Sequence, residues 1–358
     1  MSEKGRSVLE IVPNEENKRN SEGAFITLKD GRILFAYTYY GGEGWRDDSQ
    51  ADIAFIYSAD EGETWSEKEI VFKAEDHGVK NIMSVSFARL KNGDVAIFYL
   101  VKHGFEDTRL VMRRSSDESE TWSQAKYCLE RKGFNVVNND RVVSLSDGRL
   151  IFPSAHHGVR LQPATPSFPY AIDYFYISDD DGETWFENEF ATTLNSPHTR
   201  TGLQEPGLVE LAPGILWAWA RTDMGRQYEF FSHDNGFRWS NPEASYFTGP
   251  CSPLSVKQVP QTGELLAVWN PIPEYPTGKL EVEYSARKRL VYATSDDKGA
   301  TWGQPVIIED DDECGYCYTA IHFTKDSVLL AYCAGNDFTD YSILSRIRIR
   351  KIKIKDLG

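Results

Sequence analysis

Short, mostly apolar stretches punctuated by polar turns recur along this chain, as in Asp52-Ile53-Ala54-Phe55-Ile56-Tyr57, a pattern consistent with a buried strand. Directly after this stretch comes Ser58-Ala59-Asp60-Glu61-Gly62-Glu63-Thr64-Trp65, and then a second apolar segment, Lys68-Glu69-Ile70-Val71-Phe72. The motif Ser/Thr-x-Asp-x-Gly-x-Thr-Trp recurs in copies ending at Trp122, Trp185, Trp239 and Trp302. Ser119 replaces the glycine of the second copy, and Arg238 replaces the threonine of the fourth. Asp and Gly favour a tight turn, because the carboxylate accepts from nearby backbone N–H groups and glycine enters positive φ without steric cost. The tryptophan is expected to plug the space beneath the turn. Each copy therefore reads as the turn of a β-hairpin.

A second kind of turn precedes each copy and opens an apolar run. Asp30-Gly31 stands before Ile33-Leu34-Phe35-Ala36, Asn92-Gly93 before Val95-Ala96-Ile97-Phe98, and Asp147-Gly148 before Leu150-Ile151-Phe152. Pro213-Gly214 and Thr262-Gly263 serve the next two units, and Asp326-Ser327 a sixth unit with no Asp motif after it. The motif tryptophans are 54 to 63 residues apart, and two hairpin turns in that length make four strands, the blade of a β-propeller. The expectation is an all-β, six-bladed β-propeller that occupies residues 1–358 as one domain. The sixth unit is one strand short, and Ser7-Val8-Leu9-Glu10-Ile11-Val12 has no unit of its own. That N-terminal strand is expected to close the last blade as its outer strand. The basic residues of Ile347-Arg348-Ile349-Arg350-Lys351-Ile352-Lys353-Ile354 are expected to face solvent.

In such an architecture the innermost strands enter one mouth. Counting eight residues back from the first turn of each unit gives Glu22, Ser84, Asn139, Glu205 and Tyr318. In the fifth unit the count gives Leu254, but the turn is longer there, and Cys251 or Ser252 is preferred. Polar strand starts, each followed by an apolar run, read as a site at the mouth; the alternative is simple solvation of strand ends. Asn139-Asp140-Arg141 is read as lining the same mouth, and the insertion Pro163-Ala164-Thr165-Pro166-Ser167-Phe168-Pro169 as a long loop over that face.

With these turns repeated through six units, the chain resembles the sialidase (neuraminidase) superfamily, and in particular bacterial sialidase-like proteins with Asp-box (BNR) repeats. The resemblance covers nearly the whole length. It implies a retaining exo-glycosidase acting on an acidic terminal sugar, sialic acid or a relative, with no metal and no other cofactor. It implies Glu205, in Gln204-Glu205-Pro206-Gly207-Leu208-Val209-Glu210-Leu211, as base to the nucleophile. The nucleophile is Tyr318, with Tyr316 as the alternative two residues away. Arg221 and Arg287, the latter with Arg289 as fallback, are implied as arginines for the substrate carboxylate. The acid/base aspartate is implied in the loop Gly41-Gly42-Glu43-Gly44-Trp45-Arg46-Asp47-Asp48, as Asp47 or Asp48.

The first corner departs from the family pattern. Where the family has Arg-Ile-Pro, this chain reads Arg19-Asn20-Ser21-Glu22-Gly23, with Arg19 displaced by two residues and Glu22 adding a negative charge. Arg19, Glu22, Asn139, Arg141, Arg221 and Arg287 are the expected substrate contacts. A tyrosine nucleophile suits an anionic sugar, which a carboxylate nucleophile would repel. Its ordinary pKa of about 10 calls for a base and nearby cations. Two other readings stand beside this one. The altered corner favours a glycosidase or lyase for another sugar, such as a uronic acid; the other reading is a glycan-binding propeller without catalysis.

Composition narrows the partners. The 358 residues are 41% hydrophobic and 13% aromatic, enough for a large core. A net charge of −15 argues against nucleic acid or an anionic membrane as partner. An anionic sugar must then be met by a local cluster of arginines. No apolar run reaches the length that spans a bilayer. The polar opening Met1-Ser2-Glu3-Lys4-Gly5-Arg6 is unlike a secretory leader, and five scattered cysteines fit a reducing, cytoplasmic location. Cys314 and Cys317 form a lone C-x-x-C without the second pair that zinc would need.

Overall fold

The computed structural model describes residues 5–158, 170–272 and 287–358. The first four residues and the proline-rich segment 163–169 lie outside them. The described chain is all-β apart from short 3-10 turns, and among the described residues no helix is long and apolar enough to cross a membrane. Asn17–Thr27, Ile33–Gly41, Asp52–Ser58 and Glu69–Phe72 form a four-stranded sheet in chain order. Gln204–Ala212, Ile215–Arg221, Arg226–Ser232 and Glu243–Thr248 form another, as do Ser255–Gln258, Leu265–Trp269, Leu290–Ser295 and Val306–Glu309.

Between them lies a nine-stranded sheet that holds two such groups. One is Asn81–Arg89, Val95–Gly104, Asp107–Ser115 and Lys126–Tyr127; the next is Val143–Ser144, Leu150–His156, Ile172–Ser178 and Phe186–Glu187. Gly133–Val136 joins them, parallel to Asp107–Ser115 and antiparallel to Leu150–His156. The last sheet runs Cys314–Phe323, Ser327–Asn336, Ile347–Lys353 and finally Arg6–Ile11. The N-terminal strand thus lies antiparallel to Ile347–Lys353, with Ser7 opposite Arg350 and Ile11 opposite Ile347. The basic residues of Ile347–Lys353, expected to face solvent, do so only in part. Arg348 and Arg350 each ion-pair with Glu309 at 2.8 Å, because a carboxylate on the neighbouring group lies within their reach.

Each group shares an apolar core with the next. Phe55 and Phe72 of the first meet Phe87 and Tyr99 of the second, and Trp217 and Trp219 of the fourth meet Leu265 and Trp269 of the fifth. The sixth group packs on the first in the same way, with Leu329, Ile347 and Ile349 against Phe25, Phe35 and Tyr37. Burial of one such side chain stabilises by about 1.5–3 kcal/mol. The motif tryptophans sit at these seams. Trp65 packs on the core shared by the last and first groups, and Trp239 stacks on Phe175 with ring centroids 3.9 Å apart.

The repeated turn has one hydrogen-bond pattern. Asp60 Oδ1 accepts from the Thr64 backbone N–H at 2.9 Å and from Ser58 Oγ at 2.8 Å, and Oδ2 accepts from Thr64 Oγ1 at 2.6 Å. Asp117 and Asp297 repeat it. In the second copy Ser119 takes the place of glycine at φ 79°, and its hydroxyl lies 3.2 Å from the Tyr57 hydroxyl. Hydrogen bonds from the threonines hold the Asp60 and Asp117 carboxyls at a pKa of about 2. Both titrate lower in the folded chain than in the unfolded one, where the value is about 3.9. Their stabilisation is therefore present above that value and fades as pH falls through about 2. Melting temperature followed against pH is expected to drop on this acid limb, and Asp60→Asn is expected to flatten it; an unchanged limb in the variant would show that the carboxylate is not its source.

Candidate active site

One irregularity recurs near the start of the first strands. The pairing register slips between Ser21 and Ala24, Met83 and Ser86, Gln204 and Gly207, and Cys317 and Ala320. Within each slip one residue takes positive φ: Glu22 (55°), Ser84 (61°), Glu205 (48°) and Tyr318 (59°). These are the residues found by counting eight back from the turns. A non-glycine residue held there costs about 1–3 kcal/mol, and the bulge re-aims its side chain out of strand alternation. In the third group positive φ falls on Asp140 (59°), one residue past Asn139.

The bulge separates the two candidate tyrosines. Tyr316 is buried in the apolar core, edge-on to Tyr332 with centroids 6.2 Å apart. Tyr318 is partly exposed, and its hydroxyl donates to Glu205 Oε1, on a different sheet, at 3.0 Å. The other carboxylate oxygen, Glu205 Oε2, lies 2.7 Å from Arg221 Nη1 in a buried ion pair. Gln204 Oε1 accepts from Arg221 Nε and Nη2 at 3.1 and 2.8 Å. The Arg287 guanidinium lies over the Tyr318 ring, Cζ 5.4 Å from its centroid, and donates to the Cys251 carbonyl at 2.8 Å. Arg289 is exposed. Desolvation pushes the Tyr318 phenol well above its ordinary pKa and the Glu205 carboxylate adds to this, while Arg287 and Arg221 pull it back. The resting phenol is neutral, and its nearest acceptor is Glu205.

Asn139 and Arg141 have structural partners. Asn139 Nδ2 donates to the Gly23 and Tyr318 carbonyls at 2.8 and 3.1 Å, holding the backbone behind Tyr318. Arg141 does not join the cluster. It is buried, and its Nη2 donates to the Leu254 carbonyl at 2.8 Å.

A second set of charges centres on Arg19, whose side chain is 2% exposed. Its Nη2 donates to Glu22 Oε1 at 2.8 Å and its Nε to Ser21 Oγ at 2.9 Å. Its Nη1 donates to Asp47 Oδ1 at 2.6 Å and to the Trp45 carbonyl at 3.3 Å. Its face lies on the Tyr40 ring, Cζ 4.6 Å from the centroid. Glu22 also accepts a hydrogen bond from Ser84 Oγ. Burial pushes the Glu22 carboxyl up, against the pull of Arg19. The protein around Asp47 would raise it as well, though its side chain is 59% exposed, but Arg19 and Lys102 hold it below the usual range. Asp48 is not among the hydrogen-bond partners of Arg19; it lines a cavity of about 450 Å³ with Lys80, Asn81, Lys102, His103 and Phe105.

Lys102 was missed in the sequence. Its Nζ donates to the Asp47 carbonyl at 2.8 Å, and burial lowers its pKa against the opposing pull of Asp47. Like Arg221 it stands near the end of the second strand of its group, and that shared position is the signal that would have found it. Chemically, the arrangement offers a phenol hydrogen-bonded to a carboxylate, three arginines, and a carboxylate on an accessible loop.

A family described as a BNR repeat-like domain matches residues 38–330. A sialidase from Bacteroides fragilis (strain YCH46) is 22% identical over an alignment 370 positions long, covering 93% of this chain. The chain spans 61% of the length of that relative. Among solved structures, a Hadza microbial sialidase superposes with a TM-score of 0.76 at 17% identity, over 99% of this chain and 69% of its own. A protein of unknown function from Dyadobacter fermentans superposes with a TM-score of 0.73 at 17% identity, over 98% of this chain and 100% of its own.

Proposed function

The chain belongs to the BNR repeat-like family, as a sialidase-like member of that superfamily, and on that premise we propose that it is a retaining exo-glycosidase for an acidic terminal sugar, sialic acid or a close relative. The six groups are the blades of one six-bladed propeller over residues 1–358, with the N-terminal strand completing the last. The shared core between the sixth and first groups supports that reading.

The observation that carries the function is the hydrogen bond from the Tyr318 hydroxyl to Glu205, 3.0 Å long, with Arg221 on the far carboxylate oxygen. Tyr318 attacks the anomeric carbon as its proton passes to Glu205, and Asp47 protonates the leaving oxygen as the glycosidic bond breaks. In the second step water attacks the tyrosyl-glycoside and gives its proton to Asp47, while Glu205 returns a proton to the departing phenolate. Two displacements at one carbon retain its configuration. Arg221 and Arg287 balance negative charge at the phenol and bind the sugar's carboxylate.

A panel of fluorogenic glycosides tests this: an α-sialoside, α- and β-uronides and neutral glycosides. Release from the α-sialoside is the expected result; no release from any of them would favour a binding protein over an enzyme. One observation favours a second reading, a glycosidase or lyase for a different sugar such as a uronic acid. Glu22 sits buried against Arg19, so the corner where the family binds its carboxylate is already partly neutralised. Release from a uronide alone would select this reading.

A further inference from the structure

We infer that the carboxylate of the substrate takes the place of Asp47 on Arg19 Nη1, and that this exchange turns Asp47 from a fixed counter-ion into the free carboxyl that protonates the leaving oxygen. The inference rests on the function proposed above and adds how the acid is made ready.

The geometry points to Asp47 as the exchangeable partner of Arg19. Glu22 is 5% exposed and tied on its other oxygen by Ser84, and the Trp45 carbonyl is fixed in the main chain. Asp47, by contrast, is 59% exposed and held to Arg19 through one oxygen. Lys102 grips the Asp47 carbonyl at 2.8 Å, so the backbone stays in place while the carboxylate rotates. An incoming anion meets a guanidinium whose one weakly anchored ligand faces solvent.

The charge around the exchange favours a single anion. Arg19, Lys102, Arg221 and Arg287 are set against the carboxyl groups of Glu22, Asp47 and Glu205, with Asp48 also acting on Lys102. As long as Arg19 and Lys102 act on it, Asp47 is held ionised and is a poor acid. When Asp47 leaves Arg19, it loses its closest cation and gains the substrate's carboxylate as a neighbour, with Glu22 behind; Lys102, Arg221 and the Tyr40 ring remain nearby. Both changes favour the protonated form. The proton comes from solvent on binding. It passes to the glycosidic oxygen as the C–O bond breaks, the bonding electron pair going to that oxygen while Tyr318 bonds to the carbon and its proton goes to Glu205.

Titration calorimetry with free sialic acid, in two mildly acidic buffers of different ionisation enthalpy, tests the exchange. Wild type is expected to take up close to one proton per sugar bound. Asp47→Asn is expected to take up none and to bind the acid roughly three- to tenfold more tightly, because a competitor for Arg19 is gone. Glu43→Gln, a change at an exposed carboxylate of the same loop, should leave both readings as in wild type, and thermal melting checks that each variant folds. Binding without proton uptake in wild type, or weaker binding by Asp47→Asn, overturns the exchange and leaves the proposed function standing. Failure of both proteins to bind the sugar acid overturns the proposed substrate class, and the exchange with it.

Discussion

Tyr318→Phe is expected to lose turnover of the responsive glycoside by roughly three orders of magnitude or more, on the scale seen when a covalent nucleophile is removed, while folding as the wild type does. Phenylalanine keeps the ring beneath the Arg287 guanidinium and the backbone at its positive φ. Only the oxygen that donates to Glu205 is lost. One buried acceptor then lacks its partner, at a cost of about 1–3 kcal/mol, which the cores between the groups can absorb. The prediction therefore separates chemistry from folding. Substrate affinity is expected to change little, because the arginines and the Asp47 loop are untouched. Initial rates with circular dichroism on the same sample provide the check; turnover near wild type would remove Tyr318 from the nucleophile's role.

The second large effect is on stability. Arg221→Met is expected to destabilise the fold by about 3–5 kcal/mol, the cost of stranding one partner of a buried ion pair. The pair is well shielded, with the Arg221 and Glu205 side chains 8% and 10% exposed. Gln204 Oε1 loses two donors in the same change. Adding Glu205→Gln to this variant removes the stranded charge and is expected to recover most of the loss, since replacing both members of a buried pair is often near neutral. The double variant is expected to stay inactive, since the proposed base is gone. Urea denaturation of the single and double variants measures this; a single variant as stable as wild type would mean that the pair adds nothing to folding.

The levels of Glu22, Ser84, Glu205 and Tyr318 could be read from the chain because the turn residues repeat and the bulge enters each strand at the same distance from its turn. The count slips by one at Asp140, where Val143–Ser144 is two residues long and Gly133–Val136 takes over part of the pairing. The count favoured Tyr318, but strand alternation could not set Tyr316 aside. Alternation puts residues two apart on one face, and the register slip between Cys317 and Ala320 breaks that rule at the point where it was needed. The partners of Arg19 were hidden for a related reason. Its contacts come from its own bulge, from the Asp47 loop and through Glu22 from Ser84 of the next group, and no periodicity along one strand encodes them. Arg141 looked like a site residue because it is polar at a strand start, yet its charge serves a cross-tie to the fifth group.

The pairing of Arg6–Ile11 with Ile347–Lys353 also sets a schedule for biosynthesis. Arg6–Ile11 must wait for a partner strand that follows it by more than three hundred residues. At 5–20 residues per second, the interval between Ser7 and its partner Arg350 is about 17 to 70 s. Throughout that time Val8, Leu9 and Ile11 lack the core they later join, and the segment carries Arg6 and Glu10, charges of the kind that discourage pairing with a foreign strand. When Ile347–Lys353 emerges, Glu10 receives Arg346 and Arg348, so the residue that guards the waiting strand also fastens it.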